Sequence, residues 1–459
     1  MARLGIRATI LFPRNLGHPE QIRALTSALH ELLDDAAPAL IGVDQEGGAV
    51  ARLSEGVVAL PSMMALGATR DIDLARRAAR CLGSDLRALG INLDFAPVLD
   101  LALEPGNTVI GTRSFGSDPQ SVAEFGQAFA EGLRAGGVVA VGKHFPGHGA
   151  TATDSHVAQP IVTSDAAMLR RRDFVPFAAA IRAGIPALMT AHVLVPSLDP
   201  DSPATMSRPI LKDVVRDELG FGGVLFSDCV EMAALGEADA SLAPRALAAG
   251  VDCILISHRL DLAEASIEAI VDAVDAGTLS FERLTEGAER MRTLRASIPS
   301  QGPQIDRADV GREIAHKAVT VIRGDIRLEV REPVTVISFE QSEPASLSSA
   351  LRKRGHKSEI MRVSLEPRAD ELELLEMVIG GMPGRQIVIV MRRAHLYPGQ
   401  AAAIQRLLQA APRAMLISAR EPFDVPLFEH AENLACIYGD TEVSIEGLAD
   451  VMTGRTATT

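Results

Sequence analysis

Short apolar runs alternate with longer amphipathic stretches along the first 296 residues or so of the chain. The runs are Ile6–Phe12, Ala39–Val43, Ile91–Ala96, Val138–Val141, Ala187–Thr190, Val224–Ser227 and Cys253–Ile256. Between them lie Pro19–Leu33, Asp73–Leu89, Val122–Ala135, Leu211–Leu219 and Leu260–Ala276, whose apolar residues recur at helical spacing. Strands that are apolar throughout bury both faces, so the pattern predicts a parallel sheet covered by helices. Seven strand–helix units in a span of this length fit a (β/α) barrel better than a doubly wound sheet.

The stretch Ile298–Pro303, with two prolines and a glycine, reads as a linker. Beyond it a helix is predicted over Val310–Ile322, then apolar runs at Val334–Ser338, Gln386–Met391, Ala414–Ser418 and Leu434–Tyr438. The chain of 459 residues is longer than one core usually covers. The expected organisation is therefore a TIM-type (β/α)8-like barrel over residues 1–300 and a smaller α/β sandwich over 301–459.

Polar residues sharpen the barrel reading. Asp44, Lys143 with His144, His192, Asp228 and His258 each follow a different apolar run within a residue or two. Barrel enzymes collect catalytic groups at the C-terminal ends of their strands. The formal charge of −14, from 45 basic and 59 acidic side chains, argues against a nucleic acid or an anionic membrane as partner. Four scattered cysteines without CxxC spacing suggest reduced thiols. The N-terminus lacks the pattern of a signal peptide, and no 18-residue apolar run lacks charge, so a cytoplasmic protein without a membrane span is expected. With no tryptophan and 3% aromatic residues, any sugar would be recognised mainly by hydrogen bonds.

The densest chemistry lies in Lys143–His156, KHFPGHGATATDSH. Gly137–Lys143 has the spacing of a phosphate-binding loop, but His144 replaces the required serine or threonine and the intervening residues belong in a strand. His144 and His148 have a chelating spacing only in a helix, which Pro146, Gly147 and Gly149 forbid, so neither metal nor cofactor is expected. The two glycines predict a mobile loop. Asp154 and His156 are two apart, so in an extended loop the carboxylate reaches the imidazole and fixes an acid–base histidine. Asp228 ends an apolar run and points into a barrel mouth, its competing role being the N-cap of a helix at Val230–Ala234. In Asp44-Gln-Glu-Gly-Gly48 the glycines would let backbone approach a ligand while Asp44 accepts hydrogen bonds; Arg52 and Arg113 could add donors.

Together VDQEGG (43–48), GTRSFG (111–116), KHFPGHG…DSH (143–156), TAHV (190–193) and GVLFSD (223–228) resemble glycoside hydrolase family 3, specifically its NagZ-like β-N-acetylglucosaminidase branch. The likeness spans residues 5–300 and extends more weakly to the sandwich. It implies a retaining mechanism on a small glycoside containing N-acetylglucosamine, plausibly from peptidoglycan recycling. Asp228 would be the nucleophile and His156, held by Asp154, the acid–base group. Asp44, Arg52, Arg113, Lys143 and His144 would hold the sugar, with His192 on the pocket wall.

Three positions depart from the family. Ala49 replaces a usual arginine, and Cys229 stands where a second aspartate often follows the nucleophile. The family barrel has eight strands and this chain supplies seven. The first would lie upstream of Met1, leaving a gap, a substitute segment or chain, or an earlier natural start as the readings. Phosphorolysis and a non-catalytic sugar-binding protein remain the alternatives to hydrolysis.

Overall fold

The computed structural model describes residues 2–151, 159–299, 309–340, 346–380 and 384–456. Seven parallel strands form a curled sheet in chain order: β1 Ala8–Ile10, β2 Leu40–Val43, β3 Leu93–Asp94, β4 Val139–Phe145, β5 Ala187–Thr190, β6 Val224–Cys229 and β7 Cys253–Leu255. Each overlaps one of the seven apolar runs. The helices fall where the period places them: α1 Pro19–Leu33, α2 Ile72–Ala88 and α3 Pro119–Ala135. Asp71 and Asp118 cap α2 and α3 by accepting from Leu74 N and Ser121 N. The stretch Pro209–Glu218 winds as a π-helix.

The sheet is a barrel with one gap. Among the described residues no strand pairs β1 with β7. Barrel interiors are normally filled from the strands alone. Here Leu40, Phe95, Val141, Met189, Phe226 and Leu255 share their cluster with Leu294 and Ile298, at the end of helix α4 (Phe281–Ala296) and just beyond it. Arg295 of that helix holds the loop before β2, donating to Asp35 Oδ1 at 2.7 Å, Ala37 O at 2.6 Å and Pro38 O at 2.9 Å. At the mouth, Arg14 beyond β1 donates to Ser257 O and to His258 Nδ1, and Phe12 lies against the His258 ring at 5.4 Å. Arg14 and Phe12 thus tie the segment after β1 to the segment after β7 across the gap. Ile298, expected in a linker, is a core residue.

The second sheet has six strands: β8 Thr320–Arg323, β9 Val334–Phe339, β10 Ser358–Val363, β11 Gln386–Met391, β12 Met415–Ser418 and β13 Asn433–Cys436. Their order is β8-β13-β12-β11-β9-β10, parallel except for β8. Apolar clusters cover both faces, making a doubly wound sandwich. Helix α5 is Val310–Ala318 and stops short of the expected Ile322, because the β-branched run Thr320–Ile322 lies in strand β8, whose Thr320, Val321 and Arg323 pair with β13. Strand β10 escaped the pattern because exposed Glu359 and Arg362 break its apolar run.

The sandwich is docked on the barrel. Gly311 of α5 packs so tightly that a Cβ would lie 2.0 Å from Ala59 O. Arg77 donates to Glu313 at 3.0 Å, Lys317 to Asp71 at 3.1 Å, and the Ser62 hydroxyl to Tyr438 O.

Candidate active site

The C-terminal ends of β2, β4 and β6 open into a cavity of about 560 Å³, the size of a small-ligand site. Asp44, Glu46, Arg52, Arg113, Lys143, His144, His148 and Asp228 line it, with Phe12, Cys229, Glu231, Met232 and His258 on the side of the barrel gap.

Past β2 the chain folds back as a hairpin, Gln45–Gly47 against Val50–Ala51. Gln45 ties it internally, accepting from Arg52 N at 2.8 Å and Leu53 N at 2.9 Å and donating to Leu53 O at 3.1 Å. The glycines here approach protein rather than ligand: a Cβ on Gly48 would lie 2.7 Å from Ser62 Cα. Ala49, where the family usually has arginine, is exposed at the hairpin tip, and Arg52 still lines the cavity.

Two carboxylates and two cations interlock on this hairpin. Lys143 Nζ lies 2.8 Å from Asp44 Oδ1 and 2.6 Å from Glu46 Oε1. Arg113 grips Glu46 at both oxygens, each at 2.8 Å. Arg52 Nη2 stands 4.0 Å from Asp44 Oδ2, and Arg52 Nε has no hydrogen-bond partner among the described residues. Burial alone would push the Glu46 carboxyl up, but Arg113 and Lys143 outweigh it and hold it at about 2. Burial likewise opposes the charge of Lys143, and Asp44 with Glu46 overcomes it, so the lysine is held above its ordinary value.

Asp94, at the end of β3, shows the opposite outcome. It accepts from Gln45 N at 2.9 Å, and its other oxygen has no hydrogen-bond partner among the described residues. Burial dominates, Asp44 and Glu46 add repulsion, and the carboxyl is raised well above the usual range.

Asp100 organises the start of the 143–156 loop. It accepts from His144 N at 3.0 Å and from the His144 ring Nδ1 at 2.6 Å, while its second oxygen accepts from His148 N at 2.6 Å. Because a carboxylate only accepts, Nδ1 carries the His144 proton and Nε2 is the ring nitrogen left for the cavity. His148 is buried, its Nδ1 2.9 Å from Thr151 Oγ1, and its Nε2 has no hydrogen-bond partner among the described residues. Burial lowers its pKa, so the ring is neutral near pH 7.

The expected loop mobility does not extend to this segment. Residues 143–149 are buried, and a Cβ on Gly149 would lie 1.7 Å from Leu101 O. The glycine is there for close packing. Asp154 and His156 lie outside the described residues.

Asp228 ends β6 and faces the cavity. No helix follows at Val230–Ala234; the next helical turn is Ala233–Leu235, so Asp228 is not an N-cap. Among the described residues its Oδ1 accepts from the neighbouring Cys229 N, at 2.7 Å. Burial works against its charge, yet His192, His144, the Cys229 N–H and Lys143 together hold it below 3.8. An ionised carboxylate with an open face toward a cavity can attack an electrophilic carbon.

His192 is not where a sugar-binding residue would be. It is buried behind the cavity wall, its Nε2–H donating to Cys229 O at 2.9 Å and its Nδ1 2.8 Å from Thr205 Oγ1. It supports the turn that carries Asp228.

The family model of the glycosyl hydrolase family 3 N-terminal domain matches residues 1–294. The chain belongs to glycoside hydrolase family 3. As a member it is a glycoside hydrolase. A β-hexosaminidase of Nitrosomonas eutropha is 39% identical over 300 residues, spanning 63% of this chain and 85% of that protein. β-Hexosaminidase A of Pseudoalteromonas piscicida is 30% identical over 496 residues, spanning 94% of this chain and 83% of that one. The solved structure of a glycoside hydrolase family 3 β-N-acetylglucosaminidase from Paenibacillus sp. str. FPU-7 is similar over both domains. Its TM-score is 0.89 at 35% identity, covering 99% of this chain and 91% of that chain.

In this family 3 barrel the expected Asp44, Arg52, Arg113, Lys143, His144 and Asp228 converge on one cavity. Sequence reasoning passed over Glu46, Asp100 and His148 as site residues. Glu46 stands inside the quoted VDQEGG motif and could have been found as the counter-ion that two buried cations require. Asp100 gave no signal, because its partners are 44 and 48 residues away. Among the described residues no group of three or more His, Cys, Asp or Glu side chains is arranged to hold a metal ion, and no helix is long and apolar enough to cross a membrane.

Proposed function

We propose that the chain is a retaining exo-β-N-acetylglucosaminidase that hydrolyses terminal N-acetyl-β-D-glucosaminides. The observation that carries the mechanism is Asp228: a carboxylate whose pKa is held low by neighbouring cations and donors, and which lines the cavity. It attacks the anomeric carbon. The glycosidic C–O bond breaks, and His156, paired with Asp154, gives the leaving oxygen its proton. A water then attacks the same carbon, returns a proton to His156 and releases Asp228, so the anomeric configuration is retained. Lys143, Arg113, Arg52, Asp44 and the His144 Nε2 offer donors and acceptors for sugar hydroxyls, which suits a cavity without tryptophan. The β-hexosaminidase names of the relatives support the N-acetylated sugar. We extend the reading to cell-wall fragments in the cytoplasm, supported by the cysteines without disulfides.

A panel of aryl β-glycosides with and without the N-acetyl group, assayed with and without phosphate, tests this. Phosphate-independent release from the N-acetylated members only is expected. Recovery of sugar 1-phosphate would move the chain to phosphorolysis, and saturable N-acetylglucosamine binding without turnover would make it a binding protein.

A further inference from the structure

Doubly wound sheets bind ligands in the crevice at the carboxyl ends of their strands, where the strand order reverses. In the sandwich that reversal falls between β9 and β11. The residues just past β11 and β12 do not face an open crevice; they grip a loop of the barrel. Glu421 follows β12, is almost fully buried, and takes a two-point hold from Arg393, at 2.9 Å to Oε2 and 2.7 Å to Oε1. Its Oε1 also accepts from Thr112 N at 3.3 Å. Gly111 makes this approach possible: it has φ +42°, and a Cβ there would lie 2.1 Å from Glu421 Oε1. A second hold lies six residues earlier in the loop. His395 Nε2 donates to Pro105 O at 3.0 Å, while Asp424 receives His395 Nδ1 at 2.7 Å.

The loop between these two holds feeds the cavity at two points. Arg113 follows Thr112 directly, donates to Val109 O at 2.9 Å and grips Glu46. Asn107 receives Val109 N and Ile110 N at its oxygen and donates to His148 O at 2.9 Å. We propose that Glu421 of the sandwich, with Arg393 and His395, is a positioning element of the sugar site: it sets the Pro105–Arg113 loop so that the Arg113 guanidinium meets the sugar. The second domain thereby tunes substrate binding without touching the substrate. This rests on Arg113 as a sugar-binding residue.

The test is steady-state kinetics on an aryl N-acetyl-β-glucosaminide with Glu421→Ala, Glu421→Gln, Arg113→Ala and the Glu421→Ala/Arg113→Ala double variant. Glu421→Ala should raise KM roughly ten-fold with kcat within about three-fold, as expected for lost uniform binding. Glu421→Gln keeps an oxygen for Thr112 N–H and should recover most of the KM. On the Arg113→Ala background, Glu421→Ala should add less than about two-fold, because its effect runs through the missing guanidinium. Multiplying effects, or a Glu421→Ala variant with lowered Tm and wild-type KM, would overturn the proposal and leave a packing contact. If Glu421→Ala does not fold, His395→Ala releases only the Pro105 end. It should raise KM about two- to three-fold by the same logic, and an unchanged KM overturns the proposal. An Arg113→Ala variant with wild-type KM would instead remove the sugar-binding reading of Arg113, and the proposal with it.

Discussion

Both domains bring charged side chains to the carboxyl ends of parallel strands, yet they put them to different use. In the sandwich Arg392 is buried and spends its donors on Ser338, the Phe339 carbonyl and Asp440. Its neighbours Arg393 and His395 are paired with Glu421 and Asp424 and pressed against the barrel. At the barrel mouth Asp44, Arg52, Lys143, His144, His148 and Asp228 line open volume. Charge at strand ends therefore marks a place where a site can form. Charged groups that converge on open volume mark the site itself.

The sharpest way to test that contrast is Asp228→Asn. Loss of the carboxylate should lower kcat by about 10⁴-fold with the fold intact, measured on an activated aryl substrate. Near-normal turnover would place the nucleophile elsewhere. Lys143→Met comes next. It leaves Asp44 and Glu46 facing one another without the cation between them, and kcat/KM should fall roughly 10²–10³-fold with a loss of stability on top.

The sandwich should respond in the opposite sense. Arg392→Met breaks a buried ion pair outside the cavity and should cost about 2–3 kcal/mol of stability in denaturant titration, with kcat/KM within two-fold of wild type. A large activity loss at unchanged stability would erase the distinction between the two strand ends. The smallest effect is in acid. Glu46 has a folded value of about 2 against an ordinary 4.5, so its contribution is complete above pH 4.5 and drains away as pH falls toward 2. Tm measured across that window should fall less steeply in Glu46→Gln than in the parent.

The strands and most helices were legible because burial on both faces writes an apolar run, and burial on one face writes a helical period. Where those signals weaken, the reading slipped. Strand β10 carries exposed Glu359, and Val310–Ile322 continues a helical spacing through residues that pair as strand β8. His192 looked like a wall residue because it ends a strand beside the others, but its ring is spent on Cys229 O and Thr205. The DSH half of the signature loop lies outside the described residues, so its acid–base pair rests on the sequence.

By itself the sequence determined which residues would end barrel strands and, through the spacing of its motifs, that Asp44, Arg52, Arg113, Lys143, His144 and Asp228 belong to one family 3 site. Local chemistry and periodicity act over a few residues, and that is as far as they reach. Tertiary structure alone decided what state those groups are in and what closes the barrel. The same burial ends with the Glu46 carboxyl held low beside Arg113 and Lys143 and the Asp94 carboxyl raised well above the usual range beside Asp44 and Glu46. The side chains that set charge, and the Leu294 and Ile298 that share the barrel's apolar cluster, arrive from distant parts of the chain.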